Sequence, residues 1–452
     1  MARRYAVLGG GVLGLTAALR LVERGHEVRV FERESEPGGL AAGFVVEPEG
    51  TGLSVGNTSL QAGQAVYLEK FYHHLFRTDH AITRLIEEVG MGADLEWLRP
   101  LTVTLWQGQV YQLDSPLSLL RFPPVPLVGR LRMAAALALL KLLPSGKLLE
   151  GRTAAQWVRA TMGSRAWEIV FAPLFKGKFG TVSEQIALPW LWARFHDRTS
   201  RLGYVRGGFQ RFYNRLAARV REHGGQLSFG TTVSRIATDP QHTGAVTLTY
   251  SPVGQPEQTS TETFDRVIST LPTRLTCALT PELPDEYRAR YDWGRAYGAH
   301  CLILALDRPM TSGYWMNVND PGYPFMVFVE HTNYLPPEDY GGRHLVYLGN
   351  YRPMDDRLFS RNKDEVLAEF LPHLARINPD FDASWVQESW MFAAPYAQPI
   401  VTTDYREHIP PFETPLPGLY LANMFQVYPH DRGQNYSVEL AERLVAQLEP
   451  GE

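Results

Sequence analysis

The first forty residues constrain the fold more than any other part of this 452-residue chain. Tyr5-Ala6-Val7-Leu8 is a short apolar strand, followed at once by Gly9-Gly10-Gly11-Val12-Leu13-Gly14, a G-x-G-x-x-G. The spacing then predicts a helix with Leu15, Ala18, Leu19 and Val22 on one face, closed by Gly25. A second strand, Glu27 to Phe31, delivers Glu32 at its end. Glu32 lies 18 residues beyond Gly14, close to the ~20 that a dinucleotide fingerprint needs. Gly9 permits the tight turn, Gly11 lets the backbone approach a pyrophosphate, and Gly14 lets helix and strand pack closely. Free N–H groups and the positive dipole end at the helix start hold phosphate. Glu32 accepts hydrogen bonds from ribose hydroxyls and repels a 2′-phosphate, which disfavours NADP. Arg3-Arg4 before an apolar stretch has the look of a targeting sequence. Arg20 and Glu23 interrupt that stretch, and removing it would destroy the nucleotide site, so it reads as fold.

Beyond Glu32 the chain runs Arg33-Glu34-Ser35-Glu36-Pro37-Gly38-Gly39-Leu40. A plain NAD dehydrogenase would continue directly into another helix and strand. A glycine doublet instead gives a loop able to pass close beside a longer, bent cofactor. Here the chain resembles the flavin-binding oxidoreductases of the amine oxidase, protoporphyrinogen oxidase and phytoene desaturase superfamily, which carry such a glycine pair. Three later segments fit the same resemblance in the same order. Val205-Arg206-Gly207-Gly208-Phe209 opens an amphipathic helix, and the strand-like run Gln226 to Ile236 follows it. In the superfamily this return segment grips the adenine by its backbone, here at Val233. Asp265 to Pro272 is a buried strand ending beside the cofactor, at Thr270. Finally, Pro417 to Asn423 is a turn and strand, leading through His430-Asp431-Arg432-Gly433-Gln434-Asn435 into a last helix. That helix is expected to bury Ser437, Ala441, Leu444, Val445 and Leu448, and to aim its N-terminus at the flavin's pyrimidine edge. Asn423 stands where the superfamily usually begins a Gly-Asp or Gly-Glu pair.

The resemblance implies FAD as cofactor, held by Gly9, Gly11, Gly14, Glu32, Arg33, Gly38, Gly39, Val233 and Thr270. Asn423, Gly433 and Asn435 complete the flavin end. The implied fold is α/β: a Rossmann-like FAD domain of the glutathione-reductase type interleaved with an α+β substrate domain on an antiparallel sheet plus helices. The FAD domain is expected over residues 1–75, 205–275 and 412–452, and the substrate domain over 76–204 and 276–411.

Composition narrows the partners. A net charge of −4 leaves no basic footprint, which speaks against nucleic acid. Cys277 and Cys301 form no C-x-x-C, which excludes a thiol relay of that kind and a cysteine-rich metal site, and points to a reducing cytoplasm.

In the middle of the chain, Lys70 to Gly90 reads as a helix with Leu68, Tyr72, Leu75 and Phe76 on one face. Val128 to Leu143 is an apolar helix, too short for the ~20 residues a bilayer span needs. It reads as a core helix, or, given its basic flanks, as an interfacial helix making peripheral membrane contact. His300–Leu306, Phe325–Val329 and Leu345–Gly349 are expected strands of one antiparallel sheet under the substrate cavity. Lys363 to Ile377 is an amphipathic helix that Pro372 should bend or end early.

Flavin redox chemistry needs little acid–base machinery, because the cofactor accepts the hydride while the protein orients the substrate and excludes water. His73, next to His74, and His430, in the return loop, are candidates to reach the ring, and Tyr396 is a candidate wall residue. Lys178 and Arg194 lie in the densest basic–aromatic region and can pair with a carboxylate or phosphate of the substrate. No metal-ligand cluster stands out. The expected function is an FAD-dependent oxidoreductase removing hydride from a C–N or C–C single bond of a small organic molecule. One alternative is a flavin-dependent mutase or isomerase acting on a sugar nucleotide or isoprenoid without net redox. Another is a protein that holds FAD without turnover.

Overall fold

The computed structural model describes residues 2–47, 65–238, 244–293 and 295–450. Residues 48–64, inside the first expected FAD segment, lie outside the described residues. Strand Arg4–Leu8 occupies the centre of a five-stranded sheet, in the order Gln226–Ser228, Glu27–Phe31, Arg4–Leu8, Arg266–Ser269 and Leu419–Leu421. Every pairing is parallel, with Tyr5 opposite Val28 on one side and Arg266 on the other. Three separated parts of the chain therefore build one sheet. Helix Val12–Val22 packs against helices Phe209–Glu222 and Gln434–Leu448. All its residues except Arg20 are buried, so it is enclosed rather than striped. The last helix buries Val438, Ala441, Leu444, Val445 and Leu448, with Val438 in place of the expected Ser437.

The run Gln226 to Ile236 divides in two. Gly230, at φ +61°, turns the chain in a conformation that suits glycine. Gln226–Ser228 thus joins the parallel sheet, while Thr231–Thr238 begins an antiparallel sheet with Val246–Pro252 and Ser260–Phe264.

A second layer rests on a seven-stranded sheet. Its order is Val386–Pro399, Ala296–Leu306, His344–Arg352, Val327–Glu330, Trp315–Val318, Thr102–Trp106 and Gln109–Gln112. The three strands read from the sequence are all in it. Their pairings are antiparallel, and the parallel contact of Trp315–Val318 with Thr102–Trp106 joins the rest. Between residues 116 and 196 the chain is helical, including Leu127–Leu142, Ala172–Phe179 and Leu188–His196.

Two expected elements are corrected. Lys70 to Gly90 is not one helix: only His80–Glu88 is helical. Val66–Glu69 pairs with Gly43–Glu47, and Leu75–Phe76 pairs with Leu202–Val205. Sheet partners distant in sequence thus override the local helical pattern, and Tyr72-His73-His74 lies in an extended link. Helix Lys363–Leu374 starts from a capping box between Asn362 and Glu365 and ends three residues short of Ile377, with Pro372 in its last turn.

Candidate active site

The turn after Arg4–Leu8 is built by steric necessity. A side chain on Gly9 (φ +108°) would collide with the Thr270 hydroxyl, and one on Gly14 would collide with the Gly9 carbonyl oxygen. Gly9 donates its N–H to the Phe31 carbonyl at 2.8 Å. Thr270 donates its N–H and its hydroxyl to the Leu8 carbonyl at 2.9 and 2.7 Å, tying the turn to the neighbouring strand. At Gly11 the situation is reversed: a Cβ there would meet only Gly39 Cα, at 3.9 Å. Gly38, at φ +124°, donates to the Gly10 carbonyl at 2.9 Å and forms a bridge with Gly11. Bare backbone therefore faces bare backbone at the helix start, as an approaching pyrophosphate requires.

Glu32 stands just past the C-terminal end of strand Glu27–Phe31, its carboxylate accepting from the N–H groups of Gly10 and Glu34. Arg33 is exposed beside it. Val233 sits at a bulge: it opposes Tyr250 while Arg235 opposes Thr249, leaving Ser234 unpaired.

The return loop is tied into both layers. The Asn423 side chain donates to the Leu271 carbonyl at 2.8 Å and accepts from Phe425 N–H at 3.0 Å, so it holds the Leu271 turn. Asn435 accepts from the N–H groups of Ala81 and Ile82, capping helix His80–Glu88 from outside. Between them, Gly433 is open, and Gln434 accepts from Tyr213 while its own Nε2 is buried without a partner. A buried amide donor with nothing to bond costs about 1–3 kcal/mol. An acceptor-rich flavin ring is the kind of group that satisfies it. The bare Gly11–Gly39 backbone, the Glu32 carboxylate and the orphan Gln434 amide together fit a flavin dinucleotide.

A cleft of about 1470 Å³, counting its open mouth, begins at Leu40 and Gly433-Gln434 and runs into the second layer. Asp431 organises its wall. One carboxylate oxygen accepts from Lys178 Nζ at 3.0 Å and Arg194 at 2.8 Å; the other accepts from Trp190 Nε1 at 3.2 Å. Burial would raise the Asp431 carboxyl, but Lys178, Arg194 and Arg432 hold it well below the usual carboxylate range. Burial pushes Lys178 down to about 7, and Asp431, shared with two other cations, offsets this only in part. Arg432 donates to the Tyr351 hydroxyl at 2.7 Å, and its Nε is buried without a partner.

His73 lines the cleft with its Nδ1 2.5 Å from the Phe71 carbonyl, which fixes the proton there and leaves Nε2 as the acceptor. Burial lowers it to about 4, and His74 to about 3, so both are neutral at pH 7. Lys178 and Arg194 meet here as well. His430 and Tyr396 do not line the cleft. His430 lies one layer behind, 2.6 Å from Asp197 and stacked on Tyr436 at 4.6 Å. Tyr396, at φ +53°, occupies a bulge opposite Gly298, and Ala397 faces the cleft instead.

Sequence reasoning missed Arg198. It is half-buried in the cleft wall, and among the described residues its guanidinium has no hydrogen bond or ion pair. Burial, then the nearby Arg194, lowers it to about 10. In the sequence Arg198 closes the dense run Arg194-Phe195-His196-Asp197-Arg198.

The sequence model of the flavin containing amine oxidoreductases matches residues 14–430. The chain belongs to that family. Its cofactor is FAD. Over 125 residues, 27% of the chain, this family member is 33% identical to a carotenoid phi-ring synthase of Streptomyces griseus, and the match spans only 21% of that relative's length. Two solved structures share the architecture. A candidate protoporphyrinogen oxidase of Exiguobacterium sp. 255-15 superposes with a TM-score of 0.75, at 17% identity over 99% of both chains. A reduced UDP-galactopyranose mutase superposes with a TM-score of 0.74, at 14% identity over 99% of this chain and 95% of that one. At these identities the likeness is one of fold. Among the described residues no cluster could hold a metal ion, and no helix is long and apolar enough to cross a membrane.

Proposed function

We propose that this amine oxidoreductase family member removes hydride from a C–N or C–C single bond of a small organic substrate bearing an anionic group. The observation that carries the reading is the cleft itself. One end opens at Leu40, the residue after the Gly38-Gly39 doublet, and at the start of the last helix, and its wall holds an unpaired cation, Arg198. Bound FAD supplies the hydride acceptor. The nucleotide contacts of this reading are Gly9, Gly11, Gly14, Glu32, Arg33, Gly38, Gly39, Val233 and Thr270. Gly433, the Nε2 of Gln434 and the backbone around Asn423 and Asn435 serve the flavin end. The five parallel strands with their three-stranded antiparallel cover support a glutathione-reductase type of nucleotide domain, spanning 1–75, 205–275 and 412–452.

The chain's own residues bind, orient and dry the substrate. Arg198 meets the anion, because a half-buried guanidinium without a counter-ion in the cleft wall gains a charge-assisted bond when one arrives. Phe71 and Trp315 exclude water. Asp431 fixes Lys178 and Arg194 in place, and Lys178, near 7, takes up a proton released from a substrate amine. The test is an anaerobic mixing experiment on the FAD-loaded protein with candidate amino acids, amine acids and polyene acids. Substrate-dependent bleaching of the flavin, lost in Arg198→Met at low substrate and restored at high substrate, supports the reading. Bleaching by uncharged analogues alone would refute the anionic requirement.

A second reading is favoured by one observation: Lys178, Arg194, Arg198 and Arg432 outnumber Asp79, Asp197 and Asp431 in the wall, and burial pushes Asp79 up to about 7. Such an excess suits a diphosphate, as in a mutase acting on a sugar nucleotide. Isomerised product formed with no net change in flavin oxidation state would decide for it.

A further inference from the structure

Helix Leu127–Leu142 is apolar on two sides. Met133, Ala136 and Leu140 are buried beneath it, as in any core helix. Its outer face carries Val128, Leu131, Leu139 and Leu142, exposed at 68, 54, 51 and 81%. Leu117 and Leu148, before and after the helix in sequence, are exposed as well. Seven of the twelve large apolar side chains exposed among the described residues fall between residues 117 and 148. Scattered exposed leucines need no explanation, but a cluster of this kind does.

Charge is as uneven as polarity. Residues 115–149 hold Arg121, Arg130, Arg132, Lys141 and Lys147 and no aspartate or glutamate, in a chain of net charge −4. Among the described residues none of the five forms an ion pair. Arg130 donates to the Leu120 carbonyl, Arg132 to those of Ala160 and Thr161, and Lys141 to those of His196 and Arg198. Their charges therefore stay uncompensated around the apolar face.

We propose that this face docks on a bilayer surface containing anionic lipid. Leucine and valine enter the boundary between headgroups and acyl chains, while the basic rim meets lipid phosphates, the arrangement of an interfacial helix. A second copy of the chain suits the face less well, because it would bring a second uncompensated basic rim against the first. The docked helix is packed with the cleft wall: Lys141 holds the backbone on either side of Asp197, and Trp192 Nε1 donates to the Leu143 carbonyl at 2.9 Å. Docking does not depend on the proposed chemistry, and its test does not read activity.

FAD-loaded protein is sedimented with vesicles of phosphatidylcholine alone, or of phosphatidylcholine with phosphatidylglycerol, at low and high salt. The expected result is pelleting with the anionic vesicles that weakens at high salt. Leu131→Glu with Leu142→Glu should lower the partition coefficient at least tenfold, because each leucine loses its apolar burial. Reversing Arg121 or Lys147 to glutamate should lower it about fivefold each. The bound-flavin spectrum should be the same in every variant, and the milder pair Leu131→Gln with Leu142→Gln serves if glutamates impair folding. Wild-type protein that stays in the supernatant with both vesicle types overturns the proposal. So does a leucine variant that pellets like wild type. A vesicle-free dimer that the leucine variants split would instead make the face an interface between copies, and overturns it as well.

Discussion

Replacing Asp431 with asparagine removes the one buried charge that three side chains share. Lys178 and Arg194 lose their common acceptor at 3.0 and 2.8 Å, and Trp190 keeps only a neutral one at 3.2 Å. Breaking a buried ion pair on one side costs about 3–5 kcal/mol, because the remaining charge is left uncompensated. Lys178 can escape part of that cost by shedding its proton, since burial already holds it near 7. The deficit should therefore depend on pH. Unfolded chains keep the Lys178 proton up to its ordinary value near 10.5. Native wild type keeps it only up to about 7, and the native variant, lacking Asp431, only to a lower pH. In the window between those two native values the variant's native state binds fewer protons than wild type. Its stability must then climb more steeply with pH, so its deficit shrinks as pH rises and levels off above about 7. Each unit by which Lys178 falls, as far as pH 5.5, makes the deficit about 1.4 kcal/mol larger at pH 5.5 than at pH 8. Urea unfolding of the FAD-loaded protein, followed by tryptophan emission at both pH values, measures this. A variant within about 0.5 kcal/mol of wild type at both values, the range of an ordinary surface substitution, would refute the hub. An equal deficit at both would refute the coupling to Lys178.

Gly14→Ala places a methyl group against the Gly9 carbonyl and should purify with little flavin, which the ratio of flavin to protein absorbance reports. Arg198→Met should raise KM for an anionic substrate about ten- to hundredfold with kcat nearly unchanged, the worth of one charge-assisted hydrogen bond. If neutral Lys178 accepts the proton, kcat/KM for an amine substrate rises with pH through about 7, and Lys178→Met flattens that limb.

What the sequence disclosed was local. The strand, turn, helix and acid from Tyr5 to Glu32 are fixed by neighbours a few residues apart, and the structure builds each of them, with the helix enclosed on all sides rather than on one face. The same local reading failed at Tyr72-His73-His74, because the strands on either side of them pair with Gly43–Glu47 and Leu202–Val205. Lys178 and Arg194 could be named as candidates from their aromatic surroundings. Their partner Asp431 lies more than 230 residues away, and no spacing rule connects them. Gln434 passed unnoticed between Gly433 and Asn435, since a glutamine at a helix start is ordinary until its amide is seen buried and unbonded.

Helix Leu127–Leu142 shows why periodicity alone could not separate core from interface. Leucine at 140 and leucine at 139 or 142 are the same residue type on one helix, yet the first is buried and the others are open. A helix with apolar residues all round satisfies a core and a bilayer equally in sequence, because both environments reward the removal of apolar surface from water. Only the packing of the rest of the chain decides which face is left over. Here the chain covers Met133, Ala136 and Leu140 and stops. The outer leucines, ringed by basic residues without acidic partners, are what remains for a surface outside the protein to cover.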